Sequence, residues 1–353
     1  MCFSFFKGKR VFLTGHTGFK GAWLSRVLIK AGAELSGYAL APPKDEPSLY
    51  EILNLKGDMT SIIGDIRDFD FLLKSFKQSK ADIVIHMAAQ PLVEEGYRNP
   101  RYTYETNVLG TVNILECLRL NPQAQSFLNV TTDKVYKNRE WVWGYREDDA
   151  LGGTDPYSSS KSSSELATAA WKESFFKDKI PAISTARAGN VIGGGDFAEN
   201  RLVPDCVRAA SKGKPVLLRN PYALRPYQHV LEALSAYMAI IKGQYMDPTL
   251  SGSYNVGPED CLSSIQIAEL FGSFWGLGFS HVSGDNKGFG KEASTLILES
   301  SLIKHSFGYH RRWDILEAMK MTVKWSKKHL GKEDMLAETD REIQLFFNPE
   351  GER

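Results

Sequence analysis

The stretch Val11-Phe12-Leu13-Thr14-Gly15-His16-Thr17-Gly18-Phe19-Lys20-Gly21-Ala22 decides how this chain is read. An apolar run closes at Thr14, glycines follow at 15, 18 and 21, and a helix-like pattern continues over residues 22–31. Strand, glycine turn and helix in that order present backbone N–H groups to an anion such as a pyrophosphate. Gly15 permits a tight turn, Gly18 lets the main chain approach phosphates, and Gly21 lets the helix pack close to the strand. The same glycines also suit an ordinary turn. Their place in the first strand–helix unit of a long chain favours a dinucleotide site.

Outward from this turn, apolar strand patterns recur at residues 10–14, 34–39, 60–63, 83–87, 126–131 and 180–186. Helical periodicity lies between them, as over residues 103–120, where Val108, Val112, Leu115 and Leu118 share a face. The alternation predicts an α/β fold: a Rossmann-type doubly wound parallel sheet covered on both sides, with a smaller C-terminal α/β substrate-binding domain. Beyond Gly189 the texture changes, with glycines at 193–195 and prolines at 204, 215, 221 and 226. We therefore expect residues 1–187 to form the dinucleotide-binding domain, rejoined by about residues 225–256. Residues 188–224 and 257–353 would form the second domain.

Composition narrows the function. A length of 353 residues allows a large core, and a net charge of +1 argues against a general nucleic-acid or membrane-surface role. Cys2, Cys117, Cys206 and Cys261 are far apart and lack metal-ligand spacing, so reduced thiols and no bound metal are expected. The apolar start, Met1 to Phe6, is too short for a signal peptide and no spanning run follows, which predicts a cytoplasmic protein without membrane contact.

Ligands in such sheets sit beyond the carboxyl ends of the strands. Gly37-Tyr38-Ala39-Leu40 ends the second strand without an acid for a ribose hydroxyl, leaving NAD and NADP undistinguished. Asp65 and Ile66 after the third strand suit an adenine pocket, and Asp65 equally suits a helix cap. Ala88, Ala89 and Gln90 follow the fourth strand, where small residues let a cofactor lie close; His86 reads as a packed strand residue.

Two motifs carry chemistry. Thr131-Thr132-Asp133-Lys134 follows the fifth strand, and Tyr157-Ser158-Ser159-Ser160-Lys161 opens a helix after Asp155-Pro156. On a helix, Tyr157 and Lys161 share a face. A free phenol has a pKa of about 10, and a neighbouring cation favours the phenolate, which can then take a hydroxyl proton. Thr132 would hydrogen-bond the same hydroxyl. Asp133 and Lys134 add an acid and a base beside this pair, enough for a second proton transfer, although a solvated Asp-Lys pair is the plain alternative.

On these motifs the chain resembles the extended short-chain dehydrogenase/reductases, and among them the nucleotide-sugar 4,6-dehydratases that act on CDP-glucose. The resemblance runs through the glycine turn, Met87-Ala88-Ala89-Gln90-Pro91-Leu92-Val93, Thr131-Thr132-Asp133-Lys134-Val135-Tyr136 and Trp143-Gly144-Tyr145-Arg146-Glu147. It continues through Arg187-Ala188-Gly189-Asn190, Gly193-Gly194-Gly195-Asp196-Phe197, Arg201-Leu202-Val203-Pro204-Asp205, Arg225-Pro226-Tyr227-Gln228-His229 and Tyr254-Asn255-Val256-Gly257-Pro258-Glu259. Asp133-Lys134, where dTDP-glucose enzymes carry Asp-Glu, points to the cytidine branch.

The resemblance implies a lyase with tightly bound NAD. Tyr157, Lys161, Thr132, Asp133 and Lys134 would be its catalytic set. The cofactor would meet Gly15, Thr17, Gly18, Phe19, Lys20, Gly21, Asp65, Ile66, Ala88, Ala89, Gln90, Asn107, Thr131, Tyr157 and Lys161. Gln90, Asn190, Arg201, Arg208, Arg219 and Arg225 would meet the nucleotide sugar. It also implies deoxysugar synthesis for surface polysaccharide (lipopolysaccharide O-antigen), and a homodimer, with a homotetramer as the alternative, pairing helices at residues 103–120 and 157–175. Three departures stand out: Glu94-Glu95 replace expected basic residues, Gly96 an expected serine, and Lys291 an expected histidine. An epimerase, a dehydratase for another nucleotide, or a dinucleotide-binding protein without catalysis remain the other readings. The intact catalytic set argues against the last.

Overall fold

The computed structural model describes residues 3–177, 180–258, 260–276, 279–284 and 295–348; Cys2, Glu259 and Lys291, singled out above, lie outside the described residues. Strands and helices alternate as β1 (Arg10–Thr14), α1 (Phe19–Lys30), β2 (Glu34–Ala39), α2 (Leu49–Ile52), β3 (Thr60–Ile63), α3 (Phe69–Ser79) and β4 (Ile83–His86). They continue with α4 (Val93–Arg98), α5 (Pro100–Tyr104), α6 (Gly110–Leu120), β5 (Ser126–Thr132), α7 (Pro156–Phe175) and β6 (Ala182–Ala188). β6 begins later than its apolar pattern, because Pro181 has no N–H to give a ladder.

The second half holds β7 (Asn190–Ile192), α8 (Leu202–Ser211), β8 (Val216–Leu218), β9 (Leu224–Arg225), β10 (Tyr227–His229), α9 (Val230–Met246) and β11 (Ser253–Val256). Then come β12 (Leu262–Ser263), α10 (Ser264–Trp275), β13 (His281–Ser283), α11 (Ser301–Phe307), α12 (Ile315–Leu330) and α13 (Met335–Phe347).

The central sheet has seven strands in the order β11-β6-β5-β4-β1-β2-β3, all parallel. Strand order reverses at β1, so a crevice opens between the carboxyl ends of β1 and β4. Two apolar layers cover the sheet. One joins Leu13, Trp23, Leu24, Leu28 and Ile85 to Leu234, Tyr237 and Ile241 of α9. The other joins Phe12, Tyr38, Phe76, Ile114, Leu115 and Phe127. A third core, with Cys206, Ile267, Phe271, Ala318 and Met319, holds α8, α10 and α12 together as the smaller C-terminal unit. α13, expected with that unit, instead places Ile343, Phe346 and Phe347 in the first layer beside the sheet.

The helical region at residues 103–120 is not one regular helix. A wide π turn at Glu105–Leu109 separates α5 from α6 and changes the phase. The inward face becomes Thr103, Thr106, Asn107, Gly110 and Thr111 before Ile114, Leu115 and Leu118 take over; Val108 and Val112 are only half-buried. An apolar count alone could not see this, since the buried residues in the first half are small or polar.

Candidate active site

The glycine turn has the geometry its residues demand. Gly15 sits at φ +83°, and a Cβ there would lie 2.8 Å from the main chain of Met87 and Ala88. A Cβ on Gly21 would lie 2.0 Å from the Gly15 carbonyl oxygen, so α1 seats on β1 only because residue 21 is glycine. Gly18 caps α1 with no side-chain hydrogen bond, and a Cβ there would meet only the Gly15 carbonyl, at 3.5 Å. The first-turn amides of α1, at Phe19, Lys20 and Gly21, have no side-chain cap at Gly18. That bare cradle fits the pyrophosphate of a dinucleotide. The Thr17 hydroxyl donates to the Leu40 carbonyl at 2.9 Å and ties the turn to the end of β2.

Several residues expected to touch the cofactor are already occupied. Asp65 binds Arg67 through both oxygens, at 2.7 and 3.1 Å, and its carboxyl is held below the usual range by that guanidinium. Ile66 is buried against Gly110. The Gln90 amide donates to Thr103 at 2.8 Å and its carbonyl accepts from the Leu92 N–H at 2.5 Å. Asn107 accepts from the Gln90 N–H and donates to Ser160 at 2.9 Å, bridging the β4 loop to α7. The Thr131 hydroxyl donates to buried Glu165. The side chains of Gln90, Asn107 and Thr131 thus hold the walls of the site, and the backbone at Met87 and Ala88 packs directly against Gly15 of the turn. The physical reason is common to all three: each is buried and must satisfy its polar atoms locally.

Asp155 caps α7, accepting from the Ser158 N–H at 3.0 Å, and Pro156 occupies the first helical position, so the helix start that carries Tyr157 is tightly specified. Thr132 lies within hydrogen-bonding reach of the phenol. Burial pushes the Tyr157 phenol up to about 12, while Thr132 and Arg201 draw it down. The ammonium of Lys161, expected beside the phenol, donates instead to the Val130 carbonyl at 3.5 Å, and burial lowers it to about 8. In the polypeptide, desolvation of the phenol outweighs the neighbouring cations.

Asp133 is 1% exposed. Its Oδ1 accepts from Thr132 at 2.9 Å and from Lys134 at 3.5 Å, while its Oδ2 has no partner among the described residues. A buried carboxylate oxygen without a hydrogen-bond partner is costly. Lys20 also reaches this cluster. Burial and the charge of Arg201 lower it to about 8, against the pull of Asp133 and Asp196. The sequence placed Lys20 with the cofactor only, and gave Asp196, though part of a motif, no role in the site. Asp196 accepts from Arg201 at 3.0 Å, and only the fold brings that loop over Tyr157.

The second unit supplies the opposite wall. Asn190 lies in β7, paired in parallel with β10, and Arg225 is buried in β9 with its guanidinium donating to the Leu224 carbonyl at 2.8 Å. Arg208 is committed to the chain itself: it donates to the carbonyls of Phe197 and Ala198 at 2.9 and 3.0 Å and pairs with Asp205. Arg208 therefore anchors the loop that carries Arg201. Arg219 bonds Asn200. His86 is a core residue, bonded to Thr14 at 2.8 Å and Thr111 at 3.2 Å and pushed down to about 3 by burial.

A parallel sheet with a glycine turn at its first strand, a Thr132 and Tyr157 at one strand end, and a second unit across the cleft define a dinucleotide-binding enzyme of the extended short-chain dehydrogenase class. The family model described as GDP-mannose 4,6 dehydratase matches residues 12–322, and the chain belongs to that family. It is 46% identical over 353 residues to the CDP-glucose 4,6-dehydratase of Salmonella typhimurium, covering 98% of each chain. The crystal structure of dTDP-glucose 4,6-dehydratase from Bacillus anthracis in complex with NAD is similar at a TM-score of 0.78 and 20% identity, over 93% of this chain and 100% of that one. UDP-glucose 4-epimerase from Thermotoga maritima with UDP-glucose is similar at 0.80 and 20%, over 91% and 99%. At such identities the two structures report the shared fold.

Proposed function

We propose that this chain dehydrates CDP-D-glucose to CDP-4-keto-6-deoxy-D-glucose with a tightly held NAD. The observation that carries the reading is the buried Asp133, with one oxygen unpaired among the described residues, placed beside Lys134, Thr132 and Tyr157. An epimerase needs the tyrosine and threonine; elimination of water needs a further acid and base. The 46% identity to a CDP-glucose enzyme supports the cytidine nucleotide.

The cradle at Gly15, Gly18 and the first turn of α1 would hold the cofactor, with Lys161 reaching its ribose side. Bound there, NAD+ would supply a hydride acceptor for the sugar C4 and, once reduced, a hydride donor for C6. Tyr157 accepts the 4-hydroxyl proton, and Thr132 orients that hydroxyl. Asp133 hands a proton to the departing 6-hydroxyl. Lys134 removes the C5 proton or stabilises the enolate as a cation. Asn190, Arg201, Arg219 and Arg225 bind the nucleotide and diphosphate from the second unit.

The division into residues 1–187 with about 225–256, and 188–224 with 257–353, belongs to this reading, modified by the seating of α13 on the sheet. So does a cytoplasmic role in deoxysugar supply for surface polysaccharide; among the described residues no helix is long and apolar enough to cross a membrane. A homodimer through α5, α6 and α7 is supported by the exposed Leu120, Leu166 and Phe175 on α6 and α7 and by Leu109 on the π turn between α5 and α6. Light scattering of Leu166→Glu against the parent checks it, and an unchanged mass would discard that surface.

Incubation of the purified protein with CDP-glucose, followed by alkali, should develop the absorbance of a 4-keto-6-deoxy sugar. Turnover of dTDP- or UDP-glucose with none of CDP-glucose would overturn the cytidine assignment. Lys134→Met should abolish dehydration and leave C4 oxidation detectable; undiminished dehydration would remove Lys134 from the mechanism.

A further inference from the structure

Glu94 and Glu95 are acids where an anionic substrate makes bases the natural choice, and the structure shows what the first of them does. Glu94 opens α4, on the sheet side of the cleft. Its Oε2 accepts from the Asn200 amide at 2.6 Å, across 106 residues of chain, and its Oε1 accepts from Arg98. The Asn200 carbonyl in turn accepts from Arg219. Asn200 holds a left-handed conformation, φ +62°, which aims its side chain into this bridge. A polar strap therefore runs from α4 through Asn200 to Arg219, spanning the two units. Glu95 takes no part: it accepts from Asn99, one turn along its own chain.

The base of the strap is fixed. Gly96, in place of a serine, lets α4 press against the start of α7; a Cβ there would lie 3.1 Å from the Tyr157 nitrogen and 3.3 Å from its Cβ. α4 cannot sink further, so Glu94 is held at a set reach from Asn200. The loop end of the strap adjoins Arg201, which pairs with Asp196 rather than with any acid of α4. Glu94 thus touches the second unit at the residue linking Arg201 to the Arg219 bridge.

We infer that Glu94 is an affinity-determining residue, an internal anion that engages the Asn200 amide, and through Asn200 holds Arg219, and that is displaced when the diphosphate of the nucleotide sugar enters. The inference rests on the nucleotide-sugar reading above. Its energetics suit a gate: a carboxylate bridge near water contributes little, and the Glu94 charge, though shared with Arg98, still opposes an incoming diphosphate through screened Coulomb repulsion. Releasing it should therefore change KM and leave the chemical step alone.

The test compares parent, Glu94→Gln, Arg219→Met and the double variant, reading KM and kcat with CDP-glucose and, by calorimetry, the Kd of CDP alone. Glu94→Gln is expected to lower both KM and Kd by about fivefold at low salt, with the gain shrinking at high ionic strength. In the Arg219→Met background the same change should yield less than half that gain. An unchanged KM and Kd in Glu94→Gln, a gain that persists in full without Arg219, or a fall in kcat with constant KM would each overturn the inference. Failure of the parent to turn over CDP-glucose while binding another nucleotide would refute the functional reading instead, and the two failures read out in different proteins.

Discussion

The two walls of the cleft are built on opposite principles. The sheet-side wall, from the glycine turn through β5 to α7, is buried and internally bonded. Glu165 accepts from Thr185 at 2.8 Å and Arg187 at 2.9 Å, and Asn129 donates to Ser164 and Thr168 at 3.0 and 2.9 Å. The facing wall, from Asp196 to Arg225, keeps most of its cations near water and parks them on loop carbonyls, a carboxylate or an amide. Proton transfer needs groups held still in a low-dielectric site. Capture of a charged nucleotide needs donors that can change partner at little cost. The contrast separates residues that position from residues that bind.

The hardest blow to the sheet-side wall is Gly21→Val. Its Cβ would meet the Gly15 carbonyl at 2.0 Å, and neither backbone can move without dismantling β1 and α1. Loss of NAD from the purified protein, or loss of soluble protein altogether, is the expected outcome; retention of both would mean the turn is not rigid. Next comes Asp133→Asn. It should lower overall dehydration by about 10² or more while reduced cofactor still accumulates in a single turnover, whereas Tyr157→Phe should stop that accumulation. Equal behaviour of the two variants would erase the division of labour between them.

Arg208→Ala probes the facing wall. Two loop carbonyls lose their donor, so a stability loss of about 1–2 kcal/mol in thermal unfolding is expected together with a higher KM. A higher KM without any loss of stability would move Arg208 from the anchors to the binders. The smallest effect concerns pH. His16 and His86 are held neutral by burial, at about 4 and about 3 against an ordinary 6.5. Between those values and 6.5 the unfolded chain binds protons that the folded chain does not, so this contribution is complete above 6.5 and lost as pH falls through the window. Melting temperatures should decline from pH 6.5 downward, and His86→Asn should flatten the decline.

Much of the sheet-side wall could be read without a structure, because its rules are local. A glycine at a forced turn, a proline and aspartate at a helix start, and apolar strands between helices each act within a few residues. Thr132, Asp133, Lys134 and Tyr157 do meet at one end of the sheet. Less legible are the places where burial gives a polar side chain a partner distant in sequence. Gln90 to Thr103, Asn107 to Ser160 and Thr131 to Glu165 are such cases. The π turn at Glu105–Leu109 belongs with them, since it turns Asn107 inward against the apolar period.

The amino-acid order by itself determined the parallel sheet, the glycine turn and the candidates for the reacting groups, because period, turn chemistry and residue type are properties of short segments. Tertiary structure alone decided that Arg208 anchors a loop. It alone set Asp196 and Arg201 over Tyr157, and turned Glu94 from an apparent liability into a bridge. Those outcomes depend on distances between segments as much as 106 residues apart, and only packing sets such distances.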